Sequence, residues 1–92
     1  MKNAIDKIVK KVKSGYIFDT HFVIGELIKN YSDEYLLFAS KYSSSNNLTL
    51  TFHGQIGQEI NKLDGKSIDK VGWSWSENIH REASKCTCWK KK

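Results

Sequence analysis

The fold of this chain is decided by its closing stretch, VGWSWSENIHREASKCTCWKKK, which spans residues 71–92. Apolar and polar residues alternate on both sides of the polar segment SENIHRE, and this period of two predicts two β-strands. The segment between them is longer than a two-residue turn, so we expect a hairpin over residues 67–91 with an open loop. Cys86 and Cys88 then share one face of the second strand, and Trp89 lies on the other face.

The small size of the chain predicts where its tryptophans lie. The chain has 92 residues, of which 39% are hydrophobic, so a single core must use most of the large apolar side chains. We therefore expect one domain, residues 1–92, in which at least two of Trp73, Trp75 and Trp89 are buried against helices. The lysine run Lys90–Lys92 is expected to be a frayed, solvated tail.

Three or four helices are predicted before the hairpin, because apolar residues recur there at every third or fourth position. The predicted helices span residues 4–13, 20–30, 33–42 and 52–63. The first is an amphipathic N-terminal helix within residues 1–15, which can pack on the domain or pair with its copy in a homodimer. Residues expected to face the core are Ile5, Ile8, Val9, Val12, Ile24, Leu27, Ile28, Tyr31, Leu36, Ala39, Phe52, Ile56, Ile60 and Leu63.

Side chains that can cap a helix precede the last three of these segments. Asp19, Ser32 and Thr51 each carry an oxygen that can accept a hydrogen bond from a free backbone N–H of the first turn. His21 follows the first of these caps, and we expect it to be half-buried or to assist in capping. The LTL stretch at 48–50 is expected to form a short strand.

The predicted fold class is α+β and mostly helical, with three or four helices followed by a C-terminal β-hairpin. This order resembles a winged helix-turn-helix domain, and the resemblance covers residues 18–92. It implies that helix 52–63 enters the major groove of duplex DNA and that the hairpin loop contacts the backbone or the minor groove. In that family the turn before the reading helix is usually short, whereas residues 43–51 here are mostly Ser, Asn and Thr.

The net charge of +5 is unevenly distributed along the chain. Residues 1–13 contain five lysines and one aspartate, and residues 65–92 contain seven basic and three acidic residues. Residues 14–64 contain three lysines and six acidic residues. Basic ends that flank an acidic middle are suited to binding phosphate backbones, although a lysine-rich surface can also serve solubility alone.

Polar residues of helix 52–63 and basic residues of the hairpin are the expected contacts to DNA. Gln and Asn can bond to adenine edges in the major groove, and Lys and Arg can bind guanine or phosphate. The predicted nucleic-acid-binding residues are His53, Gln55, Gln58, Asn61, Lys62, Lys66, Lys70, Asn78, His80, Arg81 and Lys85. Gly54 and Gly57 lie one turn apart on this helix, where they let a phosphate approach or pack against a neighbouring element.

These features predict a small DNA-binding protein, a transcriptional regulator whose partner is duplex DNA. The alternative is a protein-interaction module or inhibitor, such as a phage-encoded anti-defence factor, that docks on a protein partner. A third option is the binding of RNA or a single strand by exposed aromatic residues of the hairpin. No enzyme is predicted, because the chain has no nucleophile elbow, phosphate-binding loop or dinucleotide fingerprint.

No metal site, cofactor or membrane contact is predicted. His53, His80, Cys86 and Cys88 are chemically suited to zinc, but alternate residues of a strand stand about 7 Å apart, so the cysteines are expected in the core. No apolar run reaches the ~18 residues that a membrane span needs. A Cys-x-Cys pair closes almost no loop, so the thiols are expected to be reduced and the protein to be cytoplasmic.

Overall fold

The computed structural model describes residues 1–42, 48–78 and 80–92. Its elements in chain order are α1 (Lys2–Lys11), β1 (Ile17–Asp19), α2 (Thr20–Asn30), α3 (Ser32–Ala39), a 3-10 turn (Ser40–Tyr42), α4 (Leu48–Asn61), β2 (Ile68–Glu77) and β3 (Ala83–Lys91). In this part of the chain, four α-helices precede the C-terminal hairpin, which confirms the predicted α+β class. The Ser- and Asn-rich turn predicted before the reading helix falls largely on 43–47, outside the described residues.

Strand β1 is absent from the prediction, yet it determines the topology of the sheet. The three strands are antiparallel in the order β1–β3–β2, so β3 is the central strand. Phe18 lies opposite Trp89, and Asp19 lies opposite Cys88. Three residues are too few to show a period of two, which explains why the sequence pattern does not reveal this strand.

The hydrophobic core lies between the helices and the root of the hairpin. Trp89 is only 1% exposed, and its ring packs against Phe18 with the two ring centroids 5.9 Å apart. The core cluster consists of Ala4, Ile5, Ile8, Val9, Phe18, Val23, Ile24, Leu27, Phe52, Ile56, Ile60, Ile68 and Trp89. The helix periodicity therefore predicts most of the core correctly, with Val12, Tyr31, Ala39 and Leu63 packed at its margin.

One of the three predicted caps is confirmed. The Asp19 carboxylate accepts a hydrogen bond from the backbone N–H of Phe22 at 2.8 Å and begins α2. Ser32 is instead the first helical residue of α3, and its predecessor Tyr31 occupies the cap position without a side-chain hydrogen bond. The backbone of Tyr31 is already engaged with the end of α2, because its N–H donates to the carbonyl of Leu27 at 2.9 Å.

The start of α4 differs from the prediction. The helix begins at Leu48, so the predicted strand at 48–50 is wrong and Thr51 lies inside the helix rather than at its cap. Leucine is a good helix former, and a three-residue strand needs a neighbouring strand to pair with. The sheet offers none here, because β2 pairs with β3 on one side and no further strand among the described residues joins it.

The prediction that at least two tryptophans are buried is wrong. Trp73 is 62% exposed and Trp75 is 72% exposed, so of the three only Trp89 belongs to the core. The helices cover the root of the hairpin, where Ile68 is fully buried, and β2 then extends past them. Two helix residues predicted to face the core, Ile28 and Leu36, are also exposed.

The lysine run at the C-terminal end is ordered rather than frayed. The Lys91 ammonium donates to the carbonyl oxygens of Val9 and Val12 at 3.1 and 3.0 Å, at the C-terminal end of α1. The Lys92 ammonium donates to the carbonyl of Gly65 at 3.0 Å. A cation bound to free helix carbonyls satisfies them and complements the negative end of the helix dipole, so Lys91 ties α1 to the central strand.

We expect Lys91→Ala to lower the free energy of unfolding by about 1–2 kcal/mol, because it removes charge-assisted hydrogen bonds to α1. Urea denaturation followed by tryptophan fluorescence measures this change. Lys90→Ala removes the same charge from the next, exposed position and should change stability by less than about 0.5 kcal/mol. Equal losses in the two variants would show that Lys91 does not cap α1.

Candidate nucleic-acid interface

A groove of about 590 Å³ lies between α4 and the hairpin and reaches the start of α2. Helix α4 lines it with His53, Gly54, Gly57, Gln58 and Asn61. Of the eleven residues predicted to bind nucleic acid, seven line this groove: His53, Gln58, Asn61, Lys70, Asn78, His80 and Lys85. The fold thus brings the two predicted halves of the site, the helix and the hairpin, to one concave surface.

The charge of the groove favours an anionic ligand. The described residues that line it include two lysines, and none of them is an aspartate or a glutamate. The lysines are Lys70 and Lys85, both exposed on the hairpin. A concave surface lined by charges of one sign focuses the potential and attracts ligands of the opposite sign.

Trp73 holds the two lysines of the groove together. The Lys85 ammonium lies 5.1 Å from the centroid of the Trp73 ring, and the Lys70 ammonium lies 5.9 Å from it. A cation at this distance from an indole ring is attracted by the electron-rich ring, with about 0.5–1 kcal/mol at an exposed site. The tryptophan therefore keeps two positive charges side by side at the edge of the groove.

A β-bulge makes this arrangement possible. The pairing of β2 with β3 shifts between Lys70, which lies opposite Trp89, and Gly72, which lies opposite Cys88. Residues three apart on a regular strand point to opposite faces, but the extra residue in the bulge puts Lys70 and Trp73 on the same face. Gly72 has a φ of +132°, a conformation that a residue with a side chain rarely adopts, so glycine is needed there.

The outer face of α4 is polar and open. Gly54, Gln58 and Asn61 are exposed on this face, whereas Ile56 and Ile60 are buried on the other. A Cβ atom built at Gly54 would meet no described atom within 4 Å, and one at Gly57 would meet only Thr20, at an ordinary 3.9 Å. Neither glycine is therefore required by the packing of the described residues, and both leave space within the groove.

Four predicted residues lie outside the groove. Lys62 is paired with Glu59 at 2.7 Å, so each offsets the charge of the other. Gln55 is half-buried on α4, Lys66 is exposed in the turn after α4, and Arg81 is exposed in the hairpin loop with a φ of 61°. These residues surround the groove and do not form it.

Two residues that line the groove are also engaged within the protein. The Asn78 side-chain oxygen accepts hydrogen bonds from the backbone N–H groups of His80 and Glu82 at 2.8 and 3.2 Å, which closes the hairpin loop. A 2.9 Å hydrogen bond joins His53 Nε2 to the Tyr35 hydroxyl. Desolvation by burial, together with the nearby His80 and His21, lowers the pKa of His53 to about 4, so it is neutral at pH 7.

The sequence pattern misses His21 and Trp73 as residues of the site. His21 is half-buried, as expected, and lies between two serine hydroxyls: Ser76 Oγ contacts its Nδ1, and Ser84 Oγ lies 3.1 Å from its Nε2. The spacing of basic and aromatic residues on the hairpin could indicate Trp73. Nothing in the sequence indicates His21, because its partners are 55 and 63 residues away.

The fold does not bring together the four residues that the sequence offers as possible zinc ligands. Within the described part of the chain, the His, Cys and acidic side chains close enough to share an ion are Asp19, His21 and Cys86. This group contains neither of the histidines of the earlier set, since His53 is bonded to Tyr35 and His80 lies in the hairpin loop.

Comparison of the chain with protein families, with curated proteins and with solved structures found no match. The winged-helix resemblance therefore stays a prediction. Within residues 1–42, 48–78 and 80–92, no helix combines the length and the apolar character that crossing a membrane requires.

The low pKa of His53 predicts a loss of stability in acid. The unfolded chain takes up this proton near the ordinary pKa of 6.5 and the folded protein only near pH 4, so stability is complete above about pH 7 and falls as the pH drops toward 4. We expect His53→Gln to flatten the dependence of the melting temperature on pH between 7 and 4. His80→Gln should flatten it much less, because burial is the largest cause of the low pKa of His53 and His80 is a smaller one; a wild-type slope in His53→Gln would contradict this assignment.

Proposed function

We propose that this protein binds duplex DNA in the groove between α4 and the hairpin and acts as a small regulator of transcription. The observation that carries the proposal is the lysine pair that Trp73 holds at the edge of a groove whose described lining contains no carboxylate. Opposite this pair lie the exposed amides of α4. The groove thus offers cations for a phosphate backbone on one side and hydrogen-bonding groups for bases on the other.

The hairpin side of the groove suits the DNA backbone. Lys70 and Lys85 are point charges that can each neutralise a phosphate, and such contacts release counterions from the duplex. Their fixation over Trp73 lowers the entropy that they lose on binding. Arg81 lies exposed in the adjoining loop and extends the cationic surface beyond the groove.

The helix side of the groove suits base edges. Gln58 and Asn61 are exposed three residues apart on α4, so they lie on one face of the helix. Each amide can bond to adenine in the major groove with both its donor and its acceptor. Glu59, the acidic residue of this helix, is neutralised by Lys62 and does not repel a phosphate strongly.

A second candidate function is the docking of a protein partner, and it is favoured by a separate observation. Strand β2 is an edge strand of the sheet, and Val71 and Trp75 on it are 50% and 72% exposed. Exposed tryptophans are frequent anchors of protein interfaces, and an edge strand can pair with an added strand. An inhibitor or adaptor would use this edge, whereas DNA would use the groove. In either case the cytoplasmic location predicted from the sequence is part of the proposal.

Salt dependence separates the two functions. We expect a fluorescently labelled 20-base-pair duplex to bind with micromolar affinity at about 50 mM salt and to lose most of that affinity at about 200 mM. The double variant Lys70→Ala/Lys85→Ala should reduce the slope of log affinity against log salt by about 1.8, which corresponds to two phosphate contacts. Fluorescence anisotropy measures both quantities.

The control for charge is Lys7→Ala/Lys10→Ala, which removes two exposed lysines from α1, outside the groove. The slope of log affinity against log salt should be steeper in this variant than in the groove variant by at least about 0.9. Equal slopes in the two variants would show that the net charge, and not the groove, attracts DNA. Absence of binding at 50 mM salt would reject the DNA hypothesis and leave protein docking as the function to test.

Trp73 and Trp75 provide a second, independent comparison. We expect Trp73→Ala to weaken duplex binding about threefold to tenfold, because the two lysines lose the ring that holds them. Trp75→Ala removes another exposed indole of β2, which does not belong to the described lining of the groove, and should leave duplex binding within about twofold of the wild type. The reverse order of effects would indicate that the exposed edge, and not the lysine pair, is the binding surface.

A further inference from the structure

Three potential metal ligands, two from the start of α2 and one from the C-terminal hairpin, meet beside the central strand. Asp19 ends β1, His21 lies in the first turn of α2, and Cys86 lies on β3. One ligand atom from each of the three side chains lies within 4.8 Å of the other two. The Cys86 thiol is free and 8% exposed, and the other two side chains are half-buried.

We propose that Asp19, His21 and Cys86 form a zinc site whose fourth ligand is a water molecule. A carboxylate, an imidazole and a thiolate are all ordinary zinc ligands, and three protein ligands with one open position are typical of an accessible site. The combination of sulfur and nitrogen ligands disfavours calcium and magnesium, which prefer oxygen.

The geometry requires only small movements of the side chains. Metal–ligand bonds of about 2.0–2.3 Å in a tetrahedron place the ligand atoms about 3.5 Å from one another. Because the three ligand atoms all lie within 4.8 Å of one another, no pair of them must approach by more than about 1.3 Å. The backbone that carries them is fixed, because Asp19 lies opposite Cys88 in the β1–β3 pairing and the Thr20 hydroxyl donates to the Thr87 carbonyl at 3.4 Å.

The outer shell of the site is already in place around His21. Its Nδ1 contacts the Ser76 hydroxyl and its Nε2 contacts the Ser84 hydroxyl. Whichever nitrogen binds the ion, the other keeps a serine partner, and metal-bound histidines nearly always have such a partner. The Asp19 carboxylate is held in the same way, since one oxygen caps α2 at Phe22 and the other lies 3.5 Å from the Ser74 hydroxyl.

The charge balance at the site also favours a cation. The N-terminal end of α2 adjoins the cluster and carries about half a positive charge. With the ion bound, the Asp19 carboxylate and the Cys86 thiolate together carry two negative charges, which outweigh it. Binding of Zn²⁺ releases one proton from the Cys86 thiol to solvent, while Asp19 is already ionised and His21 binds in its neutral form. The ion would join β1, α2 and β3 at one point.

Cys88 provides a matched control for this proposal. It lies two residues from Cys86 on the same face of the same strand, and its side chain is 9% exposed, close to the 8% of Cys86. It does not belong to the cluster. If an effect of the metal requires Cys86 but not Cys88, it indicates binding at the proposed site and not a general reactivity of buried cysteines.

The experiment uses the full, reduced chain and Co²⁺ as a spectroscopic probe for Zn²⁺. We expect one equivalent of Co²⁺ to give the visible bands of a tetrahedral ion and a near-ultraviolet thiolate charge-transfer band, both abolished by added Zn²⁺. Cys86→Ser should remove the charge-transfer band, His21→Ala should weaken Co²⁺ binding more than about tenfold, and Cys88→Ser should match the wild type. Absence of the bands in the wild type, or their equal loss in Cys86→Ser and Cys88→Ser, would overturn the proposal.

A second measurement does not depend on any variant folding correctly. Alkylation of the wild-type chain by iodoacetamide is followed at each cysteine by tandem mass spectrometry, with and without Zn²⁺. We expect Zn²⁺ to slow alkylation of Cys86 at least about tenfold more than that of Cys88. Equal protection, or none, would contradict the site. His21 and Cys86 also line the groove, so the DNA hypothesis is tested separately, by duplex binding without Zn²⁺ and through Lys70 and Lys85, which do not belong to this cluster.

Discussion

The burial of Trp89 on the central strand is the constraint on which the rest of the structure depends. Burying an indole removes about 200 Å² of apolar surface from water, which stabilises the fold by about 5 kcal/mol. Its N–H has no hydrogen-bond partner among the described residues, and the cost of about 1–3 kcal/mol is smaller than that gain. Because Trp89 lies opposite both Phe18 and Lys70, its position sets the register of the two outer strands at once.

Both candidate sites follow from that register. On one edge it places Asp19 beside the cysteines of β3, and on the other it brings Lys70 and Trp73 next to Lys85. The two sites use different chemistry, since one presents free cations and the other gathers ligands that lose their protons or already carry negative charge. A single core residue thus positions a surface for anions and a cluster for a cation.

Sequence periodicity predicts the helices and strands that are long enough to repeat a pattern. It does not predict elements that form only by pairing with another part of the fold. The helices and the hairpin follow from spacings of three to four and of two residues, and the residues on α4 and the hairpin do meet at one groove. Strand β1 exists only because β3 pairs with it. The exposure of Trp73 and Trp75 depends on how far the helices reach along β2, a length that hydrophobicity does not encode. His21 finds its serines only after folding.

The bulge at Gly72 has a consequence for how this protein can vary. Deletion of Val71 from the bulge would leave Lys70 and Trp73 two residues apart on a regular strand, so both would stay on one face, and the core contacts of Ile68 and Trp89 would stay in place. Related chains that differ by a single-residue gap at this point would therefore share both the fold and the paired cations. A single-residue gap elsewhere in β2 would instead shift the register and turn the following side chains to the other face, so the position of a gap, more than overall identity, would distinguish relatives with the same binding surface.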